Sequence, residues 1–172
     1  MKKILLFLSL AMLMAQANFL SNIKSIKSDF TQNITNEENK TISYSGEFYA
    51  KDDGKALWVY KKPIKKSLYF LNGKVVIIEP DLEQAIFSKV DNFPKVLNIL
   101  KTAKKVKDGY IAKCCDKDYK IYVKDDKIDK ITYTDKVGNR VVIKFFNQDT
   151  NLILSDKIFQ YNIPKDYDIL KN

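Results

Sequence analysis

Residues 46–63 read GEFYAKDDGKALWVYKKP, and the fold turns on how this stretch is read. Asp52-Asp53-Gly54 is a turn signal, and it joins two short runs that carry Phe48, Tyr49, Leu57, Trp58, Val59 and Tyr60. Upstream, Ile42, Tyr44, Gly46 and Phe48 alternate with Ser43, Ser45 and Glu47, the period-two pattern of a half-buried strand. The stretch therefore predicts an antiparallel hairpin with one aromatic face. Few segments elsewhere have the helical periodicity needed to cover such a face.

Working outward, turn signals recur at Asn72-Gly73, Glu79-Pro80-Asp81, Lys124-Asp125-Asp126 and Gly138-Asn139, with strand-like runs between them. The last such run is Ile158 to Pro164. Two segments read as helices. Phe19 to Phe30 carries Phe19, Leu20, Ile23, Ile26 and Phe30 at helical spacing. Asn92 to Lys104 has Asp91 or Asn92 as a cap, Pro94 near its first turn, and Phe93, Val96, Leu97 and Leu100 on one face. The expected architecture is mainly β (α+β), with about ten strands in sequential hairpins. So large a sheet twists and curls, and must close or be covered. The two helices then form a lid over a curved sheet, and the space beneath is either a filled core or a ligand hollow.

The N-terminus predicts export. A basic Met1-Lys2-Lys3 start precedes the apolar run Ile4 to Met14, and Ala15-Gln16-Ala17 supplies small residues for signal-peptidase cleavage. Residues 1–17 thus read as a secretory signal peptide and 18–172 as a single domain, exported and soluble. The run is too short for a membrane span, which takes about 20 apolar residues. The formal charge of +9 falls by two with the signal, and Arg140 is the single arginine among 30 basic residues. Scattered lysine in an exported chain points to solvated surface, not to nucleic acid. Cys114 and Cys115 are adjacent, expected on opposite faces of a strand as separate thiols, and carry no assigned function.

Chemistry-bearing motifs are sparse. The chain has no histidine, hence no usual general base and no commonest zinc ligand, and its five glycines build no phosphate loop. Acidic pairs such as Asp52-Asp53 and Asp125-Asp126 sit in turns, where carboxylates are solvated. The sequence reads as a non-enzyme with no metal and no cofactor, and its apolar surface makes binding the default function.

Several motifs, in order, resemble the periplasmic outer-membrane lipoprotein carrier proteins (LolA-like). They are Phe30-Thr31-Gln32 after the first helical segment, Gly46-Glu47-Phe48, Leu57-Trp58-Val59-Tyr60 through Pro63, and Asn72-Gly73-Lys74. Glu79-Pro80 through Gln84-Ala85 and the tail Ile158 to Tyr167 complete the set. The resemblance implies an incomplete antiparallel β-barrel of about eleven strands, with helices forming a lid over an apolar cavity. It also implies a chaperone that binds the acyl chains of lipoproteins released from the inner membrane and carries them to the outer membrane. The implied partners are acylated lipoproteins, an inner-membrane lipoprotein-releasing ABC transporter and an outer-membrane acceptor, and the implied state is a monomer. Alternation then assigns Tyr44, Phe48, Trp58, Tyr60, Leu68, Phe70, Val76 and Ile78 to the lipid-binding cavity, and Phe93, Val96, Leu97 and Leu100 to the lid. Family members typically place an arginine after the second strand that can bond the lid shut. Lys51-Asp52-Asp53-Gly54 stands there instead, making Lys51, Asp52 and Lys55 the candidate latch. The alternatives are a lipid-responsive sensor half-barrel, for which the length leaves no room for a further domain, and an envelope hydrolase using turn carboxylates.

Overall fold

The computed structural model describes residues 19–89, 96–114 and 116–171, so the proposed signal peptide (1–17), Phe93 and Cys115 lie outside the described residues. The chain forms one sheet of twelve strands: β1 (Ser25–Thr35), β2 (Thr41–Lys51), β3 (Lys55–Lys62), β4 (Lys66–Leu71), β5 (Lys74–Glu79), β6 (Gln84–Lys89), β7 (Lys104–Val106), β8 (Gly109–Cys114), β9 (Lys117–Lys124), β10 (Lys127–Thr134), β11 (Arg140–Thr150) and β12 (Asp168–Lys171). A single α-helix among the described residues, α1 (Val96–Lys101), lies between β6 and β7. The sheet order is β12-β6-β5-β4-β3-β2-β1-β11-β10-β9-β8-β7. Its edges, β12 and β7, are not paired with each other, so the barrel is open.

Neighbours from β6 to β1 and from β11 to β7 are hairpins, as the turn signals predict. Asn72 and Gly73, and likewise Asp125 and Asp126, take positive φ in their two-residue turns, where short polar side chains and glycine tolerate left-handed backbone. The exception is β12, which runs parallel to β6. The chain reaches it by crossing the outer face of the sheet after β11.

Two helical expectations are corrected. Phe19 to Phe30 is not a helix: a 3-10 turn at Phe19–Asn22 leads into β1, an eleven-residue strand. Ile26, Ser28, Phe30 and Gln32 are buried in alternation on the inner face, a period of two that the polar Ser28 and Gln32 disguise, and Ser25 is buried at the start of the strand. Ser28 is accommodated because its hydroxyl donates to the Phe146 carbonyl, 2.8 Å away. Tertiary pairing overrides the local pattern here, because β1 is bonded on both sides, to β2 and β11. The second segment is helical over Val96–Lys101 and ends earlier than expected, since Lys104 already belongs to β7, while its expected start at Asp91, Asn92 and Pro94 lies outside the described residues. Near the C-terminus, Ile158 to Pro164 is not a strand. A 3-10 turn at Asp156–Phe159, capped by the Ser155 hydroxyl, gives way to irregular chain because the segment lies across the sheet face and has no edge to pair with.

Both faces of the sheet bury apolar side chains. The inner face gathers Phe30, Phe48, Ile121, Val141 and Phe145 with Leu20, Leu97 and Leu100. The outer face of β3–β6 is covered by the C-terminal segment: Leu154 and Phe159 pack on Leu57, and Ile163 and Tyr167 pack on Val76, Ile78 and Ala85. Gly46 allows the inner strands to approach, since a Cβ there would lie 1.9 Å from the Val59 carbonyl oxygen and 3.0 Å from the Phe30 ring.

Gly46→Ala is expected to lower stability by at least about 1–3 kcal/mol in urea unfolding, because the clash is with backbone that cannot turn aside. Phe159, 3% exposed, holds the outer strap. Phe159→Ala should lower stability by about 3 kcal/mol, and Ile153→Ala, at a fully exposed side chain in the same segment, by less than about 0.5 kcal/mol.

Candidate functional site

The inner face carries an aromatic floor built by register. Phe48 pairs with Trp58 across β2 and β3, and Phe30 faces Gly46, whose missing side chain admits the ring. Trp58 stands edge-on to Phe30 at 4.9 Å between centroids and tilts over Phe48 at 4.3 Å. Phe145 of β11 closes the group at 5.9 Å from Phe48. Such edge and offset contacts add stabilisation beyond burial, roughly 0.5–1.5 kcal/mol each.

Above it lies a cavity of about 280 Å³. One wall is Trp58, Tyr60, Leu68 and Phe70 of β3 and β4. The opposite wall is Tyr119, Ile121, Ile131, Tyr133 and Ile143 of β9 to β11. Five strands separate β4 from β9 in the sheet order, so only strong curling brings these walls together. Ile99 and Leu100 of α1 form the roof, and Gln32 of β1 also lines the hollow.

Of the residues expected to line the hollow, Trp58, Tyr60, Leu68 and Phe70 do so. Phe48 lies beneath Trp58, 3% exposed, and supports the floor without lining the cavity. Tyr44 stands at the rim, edge-on to Tyr60 at 5.7 Å. Val76 and Ile78 are a correction: they pair with Tyr69 and Ser67 and face outward under the C-terminal segment. Val75 to Ile78 is apolar on both faces, so alternation alone cannot orient it. In the roof, Leu97 and Leu100 are buried, and Val96 begins α1. Ile99, Gln32 and the far wall escaped the sequence reading. The alternation in Tyr119-x-Ile121-x-Val123 and Ile131-x-Tyr133 was the available signal.

The candidate latch divides in two. Lys51 and Lys55 point to the outer face, where they grip Asp156 of the C-terminal 3-10 turn at 2.6 and 3.0 Å, with Asp53 at 3.6 and 3.1 Å. They fasten the strap, not the roof. Hydrogen bonds from both ammonium groups hold the Asp156 carboxyl below its usual range and raise both lysines. Burial raises Asp53, but the Lys55 backbone donor and the two ammoniums outweigh it and leave its pKa lowered. Asp52 is the one that reaches the helix, with its Oδ2 3.8 Å from Lys101 Nζ. Among the described residues no cluster of potential ligands could hold a metal ion.

An open antiparallel sheet curled around a roofed apolar hollow defines a class of carrier for apolar ligands. The profile of the family described as "Outer membrane lipoprotein carrier protein LolA" matches residues 21–113. The outer-membrane lipoprotein carrier protein of Campylobacter jejuni is 39% identical over 151 residues, spanning 87% of this chain and 88% of that protein. That of Wolinella succinogenes is 35% identical, spanning 87% and 88%. Among solved structures, a LolA superfamily protein from Nitrosomonas europaea superposes with a TM-score of 0.51 at 11% identity, covering 84% of this chain and 94% of that one. The chain belongs to the LolA outer-membrane lipoprotein carrier family.

Trp58 is the single tryptophan and part of the cavity wall, so it reports on occupancy. A long-chain acyl ligand is expected to shift Trp58 emission to shorter wavelength, and brominated chains to quench it. Ile131→Asp, which sets a charge into the apolar wall, should weaken that binding by more than about tenfold. Binding detected by another readout with Trp58 emission unchanged would place the ligand elsewhere.

Proposed function

We propose that this chain is a periplasmic chaperone that shields the acyl chains of lipoproteins released from the inner membrane and delivers them to the outer membrane. The observation that carries the reading is the apolar hollow between the inner sheet face and α1. The relatives named as outer-membrane lipoprotein carrier proteins support it. In this reading residues 1–17 direct export, an inner-membrane lipoprotein-releasing transporter supplies the cargo, and an outer-membrane acceptor takes it. No catalysis is assigned.

The energetics fit a reversible carrier. Each methylene of an acyl chain withdrawn from a membrane requires about 0.8 kcal/mol to be recovered elsewhere, so a lipoprotein does not leave a bilayer unaided. Trp58, Tyr60, Leu68 and Phe70 supply one replacement wall, resting on Phe48 and Tyr44. The hollow as it stands, about 280 Å³, lies at the lower edge of the range for small-molecule sites, about 300–1,000 Å³. Two or three long chains need more room, so the roof must yield. Leu97 and Leu100, buried on the inner face, compete with cargo for the same surface. Affinity is thereby reduced by the population of the closed state, which favours release. The Asp52–Lys101 pair is a weak restraint on that roof, because exposed ion pairs contribute about 0–1 kcal/mol.

Purified protein lacking residues 1–17 is expected to release a membrane-anchored lipoprotein from spheroplasts into the soluble fraction, and Ile131→Asp to abolish the release. Cargo that stays with the membrane, while a control carrier releases it, would refute the proposal.

A further inference from the structure

Four polar side chains are buried among the described residues: Ser25, Ser28, Gln32 and Gln148. Three are satisfied by backbone. Ser25 donates to the Leu152 carbonyl and Ser28 to that of Phe146. Gln148 both accepts from the Ile128 amide and donates to its carbonyl. Gln32 differs. Its Oε1 accepts the Tyr60 hydroxyl at 2.9 Å, and among the described residues no acceptor faces its Nε2. This side chain is 7% exposed and lines the hollow. A buried donor without an acceptor is strongly disfavoured, and marks a position that a further atom completes.

The surroundings of Gln32 suit an oxygen acceptor. Tyr133 lines the same hollow, and its hydroxyl, like that of Tyr60, is a donor, with burial raising both pKa values further above neutral. Rings of Tyr119 and Tyr133 lie 5.0 Å apart. At the rim, Lys66 Nζ stands 4.9 Å above the Tyr60 ring and Lys117 Nζ 5.6 Å above that of Tyr133. Of the remaining lining, Leu68, Phe70, Ile99, Leu100, Ile121, Ile131 and Ile143 offer no donor from their side chains, and Trp58 adds one indole N–H on the β3 wall. The hollow is therefore graded, apolar over most of its wall and supplied with donors around Gln32.

We infer that Gln32 Nε2 and the Tyr133 hydroxyl bind the carbonyl oxygens of the ester groups that join acyl chains to a glyceryl head. An ester carbonyl only accepts hydrogen bonds, and these groups donate. Tyr60 acts as a positioning residue, turning the Gln32 amide so that Nε2 faces the ligand. The site sets the direction of the cargo: tails lie against the apolar walls, and the head leaves past the rim near Lys66 and Lys117. This inference rests on the carrier reading.

The test compares a diacylglyceryl-cysteine peptide with its dialkyl ether analogue of equal chain length, which lacks the carbonyls, using Trp58 emission on the intact protein. The wild-type chain is expected to prefer the ester by roughly tenfold. Gln32→Leu should remove that preference, so that ester and ether bind alike whatever their common affinity. Tyr60→Phe, which keeps the ring packing, should reduce the preference in the same direction and serves if Gln32→Leu does not fold. Equal wild-type binding of ester and ether, or a preference untouched by both variants, overturns the inference and leaves the carrier reading standing. Failure of both lipids to bind overturns the carrier reading itself. A diacyl phospholipid of equal chain length identifies the source. Weaker binding than the peptide assigns the site to acylated protein, and equal binding assigns it to the acyl ester as such, the carbonyl contact holding in both.

Discussion

The two-sided pairing of β1 is the interaction on which the rest of the structure depends. Its eleven residues bond to β2 through a near hairpin and to β11 from more than a hundred residues away, Ile26 opposite Thr150 and Thr35 opposite Arg140. That long closure fuses β2–β6 and β7–β10 into one sheet, at an entropic cost that grows only slowly with loop length. Without it, Trp58 and Phe145 would never share a floor, and the walls on β4 and β9 would belong to separate ribbons. Phe30 lies at the junction, wholly buried and edge-on to both Trp58 and Tyr60.

A single sheet with two apolar faces needs two covers, and the two differ in kind. The outer cover is fastened: Phe159 is buried, Lys51 and Lys55 grip Asp156, and the chain ends as a strand on β6. The inner cover includes, among the described residues, the helix Val96–Lys101. Among the described residues it is held by Leu97 and Leu100, with one long ion pair from Lys101. Strong on the outside and weak on the inside is the arrangement a reversible lipid carrier requires, because only the weak cover must give way.

Much of this was legible in the residues. Turns at Asp52-Asp53-Gly54, Asn72-Gly73, Asp125-Asp126 and Gly138-Asn139 are where the chain reverses, since positive φ demands short polar residues or glycine. Trp58, Tyr60, Leu68 and Phe70 follow from alternation on half-buried strands. The misreadings have a common cause. β1 hides its period because two of its inward residues are polar, satisfied by partners far away in sequence. Val75 to Ile78 has no polar face to orient it. Lysines at 51 and 55 read as a latch until their outward direction and Asp156, more than a hundred residues away, are known.

By itself the sequence determined the hairpins of β2 to β6, their turns and the aromatic character of GEFYAKDDGKALWVYKKP, because these rest on local backbone preference and on alternation between neighbours. Tertiary structure alone decided that β1 is a strand, that the hollow is shared by β4 and β9, and that Gln32 lies buried with a donor that no described residue accepts from. Each of those depends on groups brought together from distant parts of the chain by the curl of the sheet, and no local pattern encodes which distant strand will supply them.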